Sequence, residues 1–126
     1  MTATVPGTRH GLVPVCSLDD LVTDLGVAAL VGDTQVAIFR LDDGSVHAVQ
    51  NLCPFSGANV MSRGITGDRG DEPTIASPIY KQVFSLLTGK CLVTMDKEPV
   101  AGGPDLAVYQ VSIDNGQVMI NLAGGE

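Results

Sequence analysis

The chain has 126 residues, 44% of them apolar, a mean hydropathy of +0.26 and a formal charge of −7. That length suits one domain with its own core, the apolar content excludes a disordered chain, and no apolar run approaches the roughly 18 residues that a membrane span requires. Seven basic residues against fourteen acidic ones exclude a surface built to neutralise phosphates, so neither nucleic acid nor membrane is an expected partner.

Residues 1–11, MTATVPGTRHG, predict a flexible tail; they lack the basic patch and apolar core of a secretory signal, which points to the cytoplasm. Cys16, Cys53 and Cys91 are odd in number and form no CxxC pair, which argues against a disulfide framework and fits a reducing compartment. One β domain is predicted over 12–122, with a short C-terminal tail at 123–126. Its first element is a short helix from Ser17, whose hydroxyl can cap free N–H groups while Asp19 and Asp20 favour the positive end of the dipole; Gly26 is its predicted end.

The texture then becomes β. Gln35 to Leu41 and Val46 to Asn51 predict a hairpin turning at Asp42-Asp43-Gly44-Ser45, because an Asp-Gly pair readily takes positive φ. Leu106 to Ile113 and Gln117 to Leu122 predict a second, turning at Asp114-Asn115-Gly116, with Val118, Ile120 and Leu122 alternating onto the buried face. Thr74 to Ala76 and Gln82 to Leu86 are shorter apolar pieces between Pro73, Pro78 and the Thr88-Gly89 turn. Ser56 to Glu72, with glycines at 57, 64, 67 and 70, shows little periodicity and predicts a long loop, either functional or merely solvated. Many short strands and hardly any helix predict an all-β antiparallel sandwich or small barrel.

Two motif loops stand out, at about 52–72 and 77–90. Cys53-Pro54-Phe55 and Ser77-Pro78-Ile79-Tyr80 resemble the two ligand loops of Rieske [2Fe–2S] domains, where C-x-H and C-x-x-H supply two thiolates and two imidazoles. Phe84 and Thr88-Gly89 extend the likeness. At the four ligand positions only Cys53 is kept. Phe55 has no lone pair, Ser77 and Tyr80 are ordinarily protonated, and one thiolate cannot hold the cluster, so no metal is expected. An empty hole would cost about 24 cal/mol per Å³, and Phe55 and Tyr80 are predicted to fill the space and hold the loops together. Cys53 as a nucleophile would need a base, and His10 and His47 fall in no recognisable catalytic motif, so a buried relic thiol is the simpler reading. Cys16 and Cys91 read as small hydrophobes. No catalytic residue is assigned.

The run NLCPFSGANVMSRGITGDRGDEP followed by ASPIYKQVFSLLTGKCL resembles the small subunit of assimilatory NAD(P)H-dependent nitrite reductase, a Rieske-like protein family that often lacks the cluster ligands; the likeness covers nearly the whole chain. It implies a companion to a large catalytic subunit that carries FAD, an iron–sulfur cluster and sirohaem and moves electrons from NAD(P)H to nitrite, yielding ammonium. This chain offers no G-x-G-x-x-G loop and no cysteine set for such groups, so by itself it is expected to be a non-catalytic part of an enzyme complex. Between Cys53 and Lys81 the charges of Arg63, Arg69 and Lys81 cancel those of Asp68, Asp71 and Glu72, leaving the motif region neutral and able to approach another acidic protein. Arg63, Arg69 and Lys81 are the candidate docking residues. The alternative function is a Rieske-type ferredoxin electron carrier with substituted ligands.

Overall fold

A computed structural model describes residues 12–100 and 102–121. The strands in chain order are β1 (Leu12–Ser17), β2 (Val27–Val31), β3 (Thr34–Arg40), β4 (Val46–Gln50), β5 (Ile65–Arg69), β6 (Glu72–Ala76), β7 (Val83–Ser85), β8 (Cys91–Val93), β9 (Val108–Asp114) and β10 (Gln117–Asn121). Two sheets form, a six-stranded one ordered β1-β10-β9-β4-β3-β2 and a four-stranded one ordered β5-β6-β7-β8. Every strand pairing in them is antiparallel. The fold is all-β, as the sequence predicts.

Turn chemistry sets the register of both predicted hairpins. Gly44 has φ +88 and donates its N–H to Leu41 O, closing β3 onto β4; Asn115 and Gly116 both have positive φ, the signature of a tight hairpin turn between β9 and β10. Val118 and Ile120 are buried, while Leu122 and both predicted tails lie outside the described residues.

β3 separates two cores. Val36, Ala37, Ile38 and Phe39 are all fully buried, and because successive side chains leave opposite faces, Val36 and Ile38 enter one core with Val15, Val31, Val118 and Ile120. Ala37 and Phe39 enter the other, with Cys53, Phe55, Ile75 and Phe84. That second core lies beneath the motif loops.

Three expectations are corrected. The helix at Ser17 is a single 3-10 turn over Leu18–Asp20, capped as foreseen by Ser17, whose hydroxyl accepts from Asp19 N while Asp20 accepts from Ser17 N. It ends at Leu21 rather than Gly26, because Leu21 turns extended and buries its side chain. Gly26 serves close packing: a Cβ there would strike the Ser62 carbonyl and the Phe39 ring. The long loop from Ser56 to Glu72 also contains a 3-10 turn at Met61–Arg63 and strand β5, paired with β6 from Ile65↔Ala76 to Arg69↔Glu72. β1, β2 and β8 carry no signal read above; β2 is the featureless VAALV.

The Thr88-Gly89 turn locks β7 to the segment before β9. Gly89 N donates to Ser85 O, Gly89 O accepts from Leu106 N at 2.7 Å, and φ is +78. A Cβ at Gly89 would collide with Leu106 O, whereas one at Gly70, also at positive φ, meets open space. Gly89→Ala is therefore expected to cost at least about 2 kcal/mol and Gly70→Ala about 1 kcal/mol, measured by urea unfolding. A second outcome concerns His47, whose Nε2–H donates to Ser45 Oγ at 2.9 Å while that hydroxyl donates to Asp43 at 2.6 Å. Burial holds the imidazole below its ordinary value of 6.5, and the Asp43 charge opposes this only in part. The neutral form is thus favoured by folding: its contribution is complete above the unfolded value and is lost as pH falls through the folded one. His47→Gln should flatten the decline in stability as pH falls below the ordinary imidazole value of 6.5, read from unfolding curves at each pH.

Candidate functional site

The first motif loop is built by backbone bonds and one buried amide. Cys53 N donates to Ala58 O and Gly57 N to Cys53 O, both at 2.8 Å, with Gly57 at φ +74. Asn51, buried at the end of β4, donates its Nδ2 to Gln35 Oε1 and Asn59 O and accepts from Ser62 N at 2.8 Å. Gln50 acts beside it, donating to Leu52 O and accepting from Ala107 N. These two residues position the loop, and sequence reasoning passed over them because Asn and Gln at a strand end read only as loop entry.

The second loop closes on itself. Ser77 N donates to Gln82 O, Lys81 N to Ser77 O, and Ile79 N to Ser77 Oγ. Lys81 is driven to φ +67. Gln82 is fully buried and donates Nε2 to Thr94 O at 3.2 Å, tying in the segment that follows β8; its Oε1 has no partner among the described residues.

Cys53 and Ser77 meet. Both are 0% exposed, and Cys53 Sγ lies 3.4 Å from Ser77 Oγ. Burial pushes the Cys53 thiol up, yet the Ser56 and Ser77 hydroxyls and the backbone N–H groups of Ser56 and Phe55 outweigh it and bring the thiol below its ordinary value. Cys16 and Cys91 are half-buried free thiols raised by burial.

Phe55 is buried, and its ring partner is Phe84, with centroids 6.1 Å apart and planes tilted by 50°. The predicted pairing of Phe55 with Tyr80 is not the one that forms. Tyr80 is 39% exposed and lies under Lys97, whose Nζ is 4.6 Å from the ring centroid. The reason is polar: burying a phenol without a hydrogen-bond partner costs free energy, whereas Phe84 is wholly apolar. Three of the four former ligand positions thus share a dry interior and the fourth faces outward.

The three docking candidates are all exposed but do not share one patch. Lys81 is on the second loop, Arg63 ends the turn before β5, and Arg69 ends β5 itself, six residues beyond Arg63. Arg69 adjoins a groove of about 440 Å³ lined by Asp24, Asp42, Asp43, Asp68 and Asp71. Among the described residues no three His, Cys, Asp or Glu side chains gather as a metal site, and no helix is long and apolar enough to cross a membrane.

Comparison with known proteins matches residues 11–121 to the Rieske-like [2Fe-2S] domain family. The nitrite reductase (NADH) small subunit of Escherichia coli (strain K12) is 43% identical over 79 residues, 62% of this chain and 73% of that protein. The nitrite reductase [NAD(P)H] large subunit of Klebsiella oxytoca is 38% identical over 106 residues, 84% of this chain; the match spans only 10% of that larger protein. Among solved structures, the nitrite reductase [NAD(P)H] small subunit of Erwinia carotovora is 37% identical with a TM-score of 0.68, covering 90% of this chain and 82% of that one.

The residues here do not fit the [2Fe–2S] group. Such a cluster asks for two thiolates and two imidazoles; Cys53 supplies one thiol already engaged with a hydroxyl, Phe55 supplies no donor and packs on Phe84, and Tyr80 points outward. The interior is a packed core. Phe55→Ala should therefore destabilise the fold by about 3–5 kcal/mol, as a buried aromatic truncation does, while Tyr80→Ala should cost less than about 1 kcal/mol; chemical denaturation of the two variants checks the difference.

Proposed function

The chain belongs to the Rieske-like [2Fe-2S] domain family and is homologous to nitrite reductase small subunits; on that premise we propose that it is the small subunit of an NAD(P)H-dependent nitrite reductase. It carries no cluster and docks on the large subunit that reduces nitrite to ammonium with FAD, an iron–sulfur cluster and sirohaem during nitrate and nitrite assimilation. The observation that carries this reading is the Cys53–Ser77 contact sealed by Phe55 on Phe84. Both loops are held by backbone hydrogen bonds while the ligand positions are filled by packing, which supports a contact surface rather than an electron relay.

A second observation supports association with the large subunit. In the Klebsiella oxytoca protein, a segment similar to 84% of this chain lies within the large subunit itself. Covalent linkage holds such a domain beside its neighbour at high effective concentration, and a separate chain in the same role needs a surface that does this by affinity. Arg63 and Lys81 lie one on each motif loop and serve that surface in this reading, while Arg69 is left with the acidic groove. All catalytic groups reside in the large subunit.

The test pairs composition with activity. Purified chain should be colourless and free of iron, should co-purify with the large subunit of the same organism, and should raise its NAD(P)H-dependent nitrite consumption. Arg63→Glu with Lys81→Glu should weaken association about tenfold, or about 1.4 kcal/mol. A brown preparation with stoichiometric iron would overturn the cluster-free role in favour of an electron carrier, and undiminished association would remove the two cations from the interface.

A further inference from the structure

The turn Met61–Arg63 is held from three directions. From the end of β4, Asn51 accepts Ser62 N on its side chain at 2.8 Å and Met61 N on its backbone carbonyl at 3.0 Å. From the start of β2, Gly26 comes so near that a Cβ on it would strike the Ser62 carbonyl. From the end of β6, the Ala76 carbonyl lies so close to Gly64 that a Cβ there would overlap it. Met61 is fully buried beneath the turn, Arg63 N donates to Val60 O at 2.9 Å, and Gly64 N donates to Met61 O at 3.0 Å. The backbone on both sides of Arg63 is therefore fixed, while its own side chain is exposed. Asn51 leads into the first motif loop and Ala76 into the second, so this turn joins the two.

The neutrality of the motif region is an average that the fold takes apart. Hairpin β5–β6 carries Asp68 and Asp71 away to the acidic groove. Among the described residues no side-chain hydrogen bond or ion pair engages the Arg63 guanidinium. Lys81 differs, because its Nζ already donates to Pro78 O at 3.4 Å. A guanidinium presents paired N–H donors in a planar fork that meets a carboxylate at two points, whereas an ammonium is a point charge. A stem held in advance also removes part of the ordering cost that docking otherwise meets.

We propose that Arg63 is the anchor of the docking surface, receiving a carboxylate of the large subunit in a two-point contact, and that Asn51 and Gly64 are positioning residues that act through it. This rests on the nitrite reductase reading above and names which of its two cations carries the contact.

Titration calorimetry of the full chain against the purified large subunit tests it, with a melting temperature recorded for each variant. Arg63→Ala and Arg63→Lys should each lower affinity about fivefold, since lysine keeps the charge and loses the fork, whereas Lys81→Ala should stay within about twofold of the parent. Asn51→Ala and Gly64→Ala should each lower affinity about threefold in the parent and leave it unchanged in the Arg63→Ala background, while lowering the melting temperature equally in both. Gly64 has an extended backbone, φ −74 and ψ 178, so its alanine adds only the clash with Ala76 and carries the test if loss of the Asn51 amide unfolds the chain. A purely structural role would repeat the same loss of affinity with or without Arg63, and that result would overturn the positioning roles. Arg63→Lys binding as the parent does, or a Lys81→Ala loss equal to that of Arg63→Ala, would overturn the anchor and leave the nitrite reductase reading standing. Absence of parent binding to the large subunit would overturn that reading and the anchor with it.

Discussion

Two loops that share no strand ladder must be kept in contact, and the rest of the site depends on how that is done. The Cys53–Ser77 contact at 3.4 Å is a weak thiol–hydroxyl interaction, worth no more than about 1 kcal/mol. Burial of Phe55 and Phe84 contributes about 1.5–3 kcal/mol each and their mutual contact about 0.5–1.5 kcal/mol more. Carbon packing therefore closes the site and the sulfur accompanies it. A thiol enclosed in this way, with no base placed beside it, is part of the seal.

The seal works because β3 holds a core on each face. Phe39 and Ala37 form the floor on which Phe55, Ile75 and Phe84 pack, while Val36 and Ile38 hold the same strand from behind. Displacement of β3 would disturb both cores together, so the floor beneath the loops is stiff. Loops on such a floor can present strained or exposed residues, Met95 and Lys81 among them, because the cost is borne by packing elsewhere.

Much of the fold was legible in the sequence where a local rule suffices. Asp43-Gly44 and Asn115-Gly116 announced two hairpins, and strand alternation correctly buried Val118 and Ile120. The ligand spacing Cys53-x-Phe55 and Ser77-x-x-Tyr80 located the site. β1, β2 and β8 escaped because short strands such as VAALV are defined by their neighbours rather than by their own pattern. Tyr80 was misplaced for a related reason: sequence gives an aromatic ring a size, but the competition between Phe84 and Lys97 for neighbouring positions exists only in three dimensions. The ties between distant segments were invisible for the same cause, since Val100 meets Pro54, and Gln82 meets Thr94, only after folding.

Why the loops persist while the ligand set does not follows from where their hydrogen bonds run. Cys53 N to Ala58 O, Gly57 N to Cys53 O, Ser77 N to Gln82 O and the Asn51 network all use backbone groups or side chains outside the ligand positions. The loop conformations are thus specified independently of what stands at 55, 77 and 80, except that the enclosed volume must be filled. Phe55 meets that condition with carbon. Tyr80, released from it, stands 39% exposed at the surface under the Lys97 ammonium.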